Sequence, residues 1–166
     1  MKNSFHVSAV LVLAFGAAAL FAQDKGKKES STDKVWDAIH EKCCPKAGKC
    51  EGDQKKTCDH VGATVKAGVA RFMAKCKKEG LKCPDCAKVK DGGPCQKCSD
   101  LTVSTVSPYI QTQASAKDAS HTLTGADGKK ETLKCTLTAG PVCKGCVEEM
   151  SDAVVKACKE AGEKKK

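Results

Sequence analysis

Apolar residues repeat with helical spacing in three segments of the chain, and each segment is predicted to be an α-helix. The repeats place apolar side chains on one face at intervals of three and four residues, as in an amphipathic helix. The predicted helices run from Thr32 or Asp33 to Pro45, from a cap at Asp59 to near Gly80, and from about Cys143 to Ala161.

Other segments alternate apolar and polar residues, which is typical of β-strands. Leu101–Val106 alternates in this way and predicts a strand that Pro108 limits. Further along, His121–Thr124 and Glu131–Thr138 flank the polar turn Gly125–Lys130 and predict a β-hairpin.

The remaining segments are loops that carry many of the cysteines. Lys46–Lys56 contains one cysteine, and Leu81–Asp100 is dense in glycine, proline and cysteine. The predicted fold is therefore a small cysteine-rich α+β or irregular domain with about three helices, a β-hairpin and Cys-rich loops, stapled by metal or disulfides.

The N-terminus has the order of features found in a secretory signal. Lys2 precedes an apolar run, Val7–Phe21, and a small residue, Ala22, stands before the first charged stretch. The run is shorter than the roughly 20 residues of a membrane span, and no second such segment follows. We expect an exported protein, periplasmic or secreted. The predicted segments are a signal peptide (1–22), a disordered leader (23–31), a cysteine-rich domain (32–162) and a basic tail (163–166).

Composition predicts a thin hydrophobic core. Cleavage after residue 22 of 166 leaves 144 residues, whose only aromatic side chains are Trp36, Phe72 and Tyr109. A chain so poor in large apolar groups needs covalent or metal staples to offset its conformational entropy. Thirteen cysteines, all in the mature part, could supply them.

The mature chain has a formal charge of +8, from 28 basic and 20 acidic residues. Nucleic-acid binding is nevertheless not expected, because Arg71 is the only arginine and few aromatic residues could stack on bases. Eight of the thirteen cysteines have a lysine directly beside them, and nearby ammonium groups favour thiolates.

The most informative spacing is Cys83-Pro-Asp-Cys86, eight residues, then Cys95-Gln-Lys-Cys98. Two such turns can direct four sulfur atoms at one point, as in tetrahedral structural zinc sites. The segment resembles the knuckle pair of zinc ribbons and rubredoxins, with a shorter spacer than ribbons use. In an oxidising compartment the same four cysteines could instead form disulfides.

A second pair, Cys143-Lys-Gly-Cys146, lies at a predicted helix start, where the helix dipole favours a thiolate. The placement suits soft-metal carriers and thiol oxidoreductases alike. The run Gly140–Met150 is similar to the metal loop of heavy-metal-associated copper-binding domains, although Pro141 replaces the usual methionine.

The other seven cysteines have no diagnostic spacing. Two of them have similar surroundings, because Cys76 and Cys158 each stand one turn before a glycine that ends a predicted helix. This similarity is explained by the residues that helix ends commonly share. His40, His60 and His121 offer further donors, although a surface role is the simpler interpretation of each.

These patterns favour a binding function over catalysis. We expect the chain to bind soft metal ions, Zn or Cu(I), through thiolates for storage, buffering or structure, at Cys83, Cys86, Cys95, Cys98, Cys143 and Cys146. A disulfide-stapled structural or interaction protein is the alternative. A thiol-disulfide oxidoreductase using Cys143 and Cys146 is third. The expected partners are metal ions, with no nucleic acid and no transmembrane segment after signal cleavage.

The signal prediction is checked by intact mass. Protein recovered from the exported fraction should begin at about Gln23, because Ala22 is the last small residue before charge begins. An exported species that keeps residues 1–22 would contradict the prediction.

Overall fold

The computed structural model describes residues 29–116, 118–125 and 127–163. The predicted signal peptide, most of the predicted leader and residues 164–166 lie outside this part. The elements in it are helices α1 (Ser31–Cys43), α2 (Gly52–Lys78), α3 (Gln96–Ser115) and α4 (Lys144–Glu163), a 3₁₀ turn (Cys86–Lys88), and strands β1 (Ser120–Thr124) and β2 (Lys130–Lys134).

The helices pack as a bundle around one core. Helix α2 lies against α1 and α4, while α3 closes the other side against the same two helices, and β1 packs on α4. About half of the core residues are valines, and Phe72 is the only Phe, Tyr or Trp side chain of the described residues that is fully buried. The chain thus has the small α+β cysteine-rich fold that the sequence predicts, with four helices in the described residues rather than about three.

Helix α1 begins where its sequence offers a complete N-cap. The Ser30 side chain accepts a hydrogen bond from the Asp33 N–H, and the Asp33 carboxylate accepts one from the Ser30 N–H, which together form a capping box. Together with a hydrogen bond from the Lys66 side chain, the Ser30 hydrogen bonds lower the pKa of Asp33 to about 2. Val35 and Ile39 turn into the core.

Helix α2 begins at Gly52, seven residues before the predicted cap at Asp59. Its first turns are polar, so they lack the apolar repeat on which the prediction relied. The other end was predicted correctly. Gly80 adopts φ +69°, its N–H bonds to the Lys77 carbonyl, and the Leu81 N–H bonds to the Cys76 carbonyl. This is a Schellman motif, which needs the left-handed conformation that glycine tolerates.

The predicted strand Leu101–Val106 is wrong, because this segment lies inside α3. The residues that α3 buries are Thr102, Val103, Val106, Ser107 and Ile110, at spacings of three and four. Ser and Thr side chains in α3 donate to carbonyls four residues earlier, which accommodates them in a helix. Pro108 is also inside α3 rather than at its boundary.

The predicted hairpin is confirmed. Strands β1 and β2 pair antiparallel, with His121 opposite Leu133, and the Gly125 N–H bonds to the Lys129 carbonyl in the turn. The second strand ends at Lys134 rather than Thr138. None of the helices in the described part of the chain combines the length and the hydrophobicity of a membrane span.

The contact between α1 and α2 yields a stability prediction. A Cβ on Gly62 would come within 2.8 Å of Trp36 Cε2, so Gly62→Ala must displace the indole ring. We expect the free energy of unfolding in urea to fall by about 1–3 kcal/mol, the usual cost of overpacking.

The matched control is Gly162→Ala, on a helical residue with nothing within 4 Å of the new Cβ. This variant should be as stable as wild type or slightly more stable, because alanine favours helix. Equal stability of Gly62→Ala and wild type would contradict the close packing.

Candidate metal centres

Three groups of four side chains bring all their ligand atoms within 4.8 Å of one another. Each group can hold a metal ion, and each lies at one of the three connections between consecutive helices. The N-terminal cluster is His40, Cys44, Cys50 and Cys58; the central cluster is Cys83, Cys86, Cys95 and Cys98; the C-terminal cluster is His121, Cys135, Cys143 and Cys146.

The spacing of the donor atoms fits a tetrahedral site. Zinc bonds of about 2.3 Å to sulfur and 2.0–2.1 Å to nitrogen imply ligand edges of roughly 3.8 Å between two sulfurs and 3.6 Å between sulfur and nitrogen. The measured sulfur pairs in the three clusters lie 3.3–3.9 Å apart. The measured histidine Nε2 to sulfur distances are 3.4–3.6 Å.

The central cluster joins the four cysteines whose spacing predicted a metal site. Cys83 and Cys86 lie in the loop after α2, whereas Cys95 caps the N-terminus of α3 and Cys98 is in its first turn. The Cys83 and Cys95 sulfurs are 3.7 Å apart, and those of Cys86 and Cys98 are 3.4 Å apart.

Backbone N–H groups point at the sulfurs of the central cluster. The Cys95 N–H donates to the Cys86 sulfur over 3.3 Å. Burial raises the pKa of Cys83, but backbone N–H groups of Cys86 and Asp85 and the thiols of Cys86 and Cys95 outweigh it and lower the pKa to about 7. Burial and neighbouring thiols raise the pKa of Cys86. The cluster therefore has one favoured thiolate, and a bound cation would release the remaining protons.

The C-terminal cluster contains the second predicted pair. Cys143 directly precedes α4 and Cys146 lies in its first turn, so the pair has the same position on α4 that Cys95 and Cys98 have on α3. The structure adds His121 from β1 and Cys135, the residue after β2. Three of its members are the most buried donors of the three clusters, with His121 1 % exposed, Cys143 2 % and Cys146 0 %, while Cys135 is half-buried.

The hairpin can approach α4 closely because Gly145 has no side chain. A Cβ there would overlap the His121 ring. The ring therefore lies against the first turn of α4, with Nε2 3.5 Å from the Cys143 sulfur and 3.4 Å from the Cys146 sulfur. The Cys143 N–H donates to Thr64 Oγ1 over 3.1 Å, which fixes this end of α4 against α2.

A carboxylate faces the second ring nitrogen of the histidine, Nδ1. The Glu149 Oε1 atom lies 3.0 Å from His121 Nδ1, within ion-pair distance though outside hydrogen-bond geometry, and Tyr109 donates its hydroxyl to Glu149 Oε2 over 2.7 Å. Burial and its contacts with Cys146 and Glu149 raise the pKa of Tyr109, so the phenol stays a donor. Metal-binding histidines commonly have such a carboxylate at their second nitrogen, where it sets the tautomer and ring orientation.

The two cysteines of the CxxC pair at α4 differ in acidity. Burial raises the pKa of Cys143, but the backbone N–H groups of Cys146 and Thr136 outweigh it and lower the pKa to about 6. Burial raises the pKa of Cys146. As in the central cluster, the thiolate is stabilised mainly by backbone N–H groups rather than by the lysine next to it in sequence.

The N-terminal cluster was not predicted. His40 and Cys44 stand four residues apart at the end of α1, Cys50 lies in the short loop, and Cys58 is in the second turn of α2. His40 Nε2 is 3.6 Å from the Cys50 sulfur, which is 3.3 Å from that of Cys44 and 3.6 Å from that of Cys58. Trp36 stacks on the His40 ring at 4.9 Å between centroids.

A sequence signal for this cluster exists but is weak. A histidine and a cysteine four residues apart share a helix face, and Pro45 then turns the chain so that the next two cysteines can approach them. Placing α2 from Gly52 rather than Asp59 would have put Cys58 on a helix facing that turn. His121 and Cys135 could have been suggested by the predicted hairpin, which ends beside Cys143.

Three cysteines lie outside the clusters, and none of the thirteen forms a disulfide. Cys43 donates to the Ser107 carbonyl over 3.5 Å, and burial raises its pKa. Adjacent Cys43 and Cys44 therefore have different surroundings. The remaining two, Cys76 and Cys158, contact each other across α2 and α4.

The contact between Glu149 and His121 yields a prediction for the C-terminal cluster. Replacing Glu149 by Gln keeps the size of the side chain and removes the charge that faces Nδ1. We expect zinc affinity at this cluster to fall by about 10–100-fold, as is usual for loss of such a carboxylate. The measurement is zinc competition with a chromophoric chelator.

Glu148→Gln is the matched control, since Glu148 is adjacent on α4 but pairs with Arg71 and Lys75 over 2.9 and 2.8 Å. It should leave zinc affinity unchanged. Unchanged affinity in Glu149→Gln as well would show that Glu149 does not support the histidine.

Comparison with known proteins adds no relative from which a function could be transferred. The chain matches no protein-family model, no curated protein and no solved structure. The three clusters are therefore the features of this molecule on which a function has to rest.

Proposed function

We propose that this chain is a zinc-binding protein, with one ion in each of the three clusters. The observation that carries the proposal is the convergence of four donors at one point three separate times. Ten of the thirteen cysteines take part, and their distances match the edges of a tetrahedral site. Chance contacts between half-buried thiols would not produce sets of four in every helix connection.

The donor sets favour zinc over Cu(I). One cluster is Cys₄ and two are Cys₃His, and these are standard four-coordinate zinc sets. Cu(I) is a soft ion that suits thiolates and thioethers. The two methionines of the described residues, Met73 and Met150, belong to the hydrophobic packing and to none of the clusters. Cu(I) remains the competing ion in the tests below.

The positions of the clusters favour a structural role for the metal. Each cluster ties the connection between two helices to the second of them, and Cys143 and Cys146 of the C-terminal cluster also belong to the hydrophobic core. The central loop, from Leu81 to Pro94, has few apolar residues that could hold it in place. Metal binding there would be coupled to folding of the loop. All four positions of each site are filled by protein donors, which leaves no open position for a catalytic water.

Burial argues against a thiol-disulfide oxidoreductase. Cys143 has the lowered pKa expected of an attacking thiol, yet it is 2 % exposed and Cys146 is fully buried. A catalytic thiol has to meet the sulfur of an external substrate. His121 and Cys135 instead lie next to both of these sulfurs.

Export, if the signal prediction holds, would expose these thiols to an oxidising compartment. Sulfurs that are 3.3–3.9 Å apart could form disulfides there with small movements. A bound zinc ion would hold the same sulfurs as thiolates and keep them from pairing. The disulfide alternative and zinc binding therefore compete for one set of atoms.

Adjacent cysteines provide a matched pair for testing the proposal. Cys44→Ser should lower the zinc content of the reduced protein by one ion relative to wild type, because Cys44 belongs to the N-terminal cluster. Cys43→Ser should leave the content unchanged, because Cys43 bonds to a carbonyl instead. Native mass spectrometry measures both. Equal zinc content in the two variants would contradict the assignment of Cys44 to the cluster. If the protein retained copper in preference to zinc, the proposed ion would have to be Cu(I) instead.

Limited proteolysis separates metal from disulfides at the central cluster. Under reducing conditions a chelator should speed cleavage after the lysines between Leu81 and Pro94, because removal of the zinc ion frees the loop. In metal-replete buffer, reductant alone should have no effect. Opening by reductant alone, from protein that holds no zinc, would establish the disulfide alternative for these four cysteines.

A further inference from the structure

Two cysteines outside the clusters lie beside the central one. Cys76 is in the last turn of α2 and Cys158 is in the second half of α4, and both are half-buried. Their thiols neighbour each other where α2 packs on α4, with both side chains against the hydrophobic core, and the Cys158 thiol also neighbours Cys98. Cys86 is the other central sulfur near this pair. Six sulfurs are therefore contiguous at this end of the bundle.

The backbone fixes this proximity. The Schellman motif at Gly80 reverses the chain directly after Cys76 and directs it into the loop that carries Cys83. On the other side, Lys159 pairs with Glu79 over 2.6 Å, which holds the turn containing Cys158 against the end of α2.

The six sulfurs form three pairs in a row. Cys83 and Cys95 are the outer pair of the central cluster, at 3.7 Å. Cys86 and Cys98, 3.4 Å apart, form the inner pair. Cys76 and Cys158 lie beside that inner pair. Such a row can coordinate two ions if the inner sulfurs bridge them.

We infer that the central cluster binds a second zinc ion, which Cys76 and Cys158 complete. Cys86 and Cys98 bridge the two ions, with Cys83 and Cys95 terminal on the first and Cys76 and Cys158 terminal on the second. Four terminal and two bridging thiolates supply the eight bonds that two tetrahedral ions require. The inference rests on the proposed zinc binding and adds a fourth ion to it.

The charge balance is favourable. A tetrathiolate with one Zn²⁺ carries a net charge of −2, and adding one Zn²⁺ with two more thiolates leaves that charge unchanged. Cys76 and Cys158 each release one proton to solvent when they bind. The second ion thus adds no uncompensated charge to a half-buried region, which would otherwise be costly.

Zinc stoichiometry of the reduced, full-length mature protein tests the inference. Native mass spectrometry should find four zinc ions in wild type and three in the double variant Cys76→Ser/Cys158→Ser. Cys43→Ser is the matched control and should retain four. Cadmium-113 NMR of the wild-type protein gives an independent count, with four signals expected and the two all-sulfur ones coupled through the shared thiolates.

The outcomes separate this inference from the proposed function. Three ions in wild type, with one lost in Cys44→Ser, would overturn the fourth site and leave zinc binding intact. A Cys76–Cys158 disulfide in zinc-loaded protein would also overturn it. No bound zinc in wild type would remove both proposals. If the double variant fails to fold, the cadmium count on wild type decides.

Discussion

The convergence of four donor atoms within 4.8 Å at each helix connection is the constraint on which the rest of this structure depends. The bundle has a core of small aliphatic side chains and one buried phenylalanine. This core sets the orientation of the helices but adds little stabilising packing at their ends. The connections on either side of α2 contain many lysines and few apolar side chains, whereas the connection before α4 contributes the buried Leu137 to the core. Each cluster supplies the contact that its connection lacks, by joining residues that are distant along the chain.

The same helix geometry recurs in two of the clusters. In both the central and the C-terminal cluster, a CxxC pair has its first cysteine just before a helix and its second in the first turn. At the start of α4, backbone N–H groups of Cys146 and Thr136 favour the Cys143 thiolate. In the central cluster the favoured thiolate is instead Cys83, in the loop before α3. The donors opposite differ: loop cysteines complete the central cluster, whereas a histidine and a cysteine from the hairpin complete the other. The same CxxC motif at a helix start is thus completed by two different sets of donors.

Supporting contacts distinguish the C-terminal cluster from the others. His121 is held between the sulfurs and Glu149, which Tyr109 in turn fixes. This row of side chains links β1, α4 and α3, so the cluster is built into the bundle itself. The N-terminal cluster is more exposed, with only the Trp36 ring stacked on its histidine. Burial therefore separates the C-terminal cluster from the other two, and an ion in it should exchange more slowly than ions in them.

The sequence alone determined the elements whose signals are local. Helical repeats located α1, the end of α2 and α4, since one amphipathic face is encoded within each segment. The Cys83–Cys98 spacing identified the central cluster, because two turns suffice to aim its four sulfurs. Leu101–Val106 was misassigned, because a short run with alternating residues fits a strand or a helix until tertiary packing selects one.

Only the tertiary structure decided which distant residues meet. His40 and Cys58 reach each other through the packing of α1 on α2, and His121 reaches Cys143 because Gly145 lets the hairpin lie against α4. Neither approach leaves a periodic or spaced signal in the chain. The choice between adjacent Cys43 and Cys44 has the same origin: one residue along a helix rotates the side chain by about 100°, and the position of α2 and α3 decides which sulfur faces the cluster.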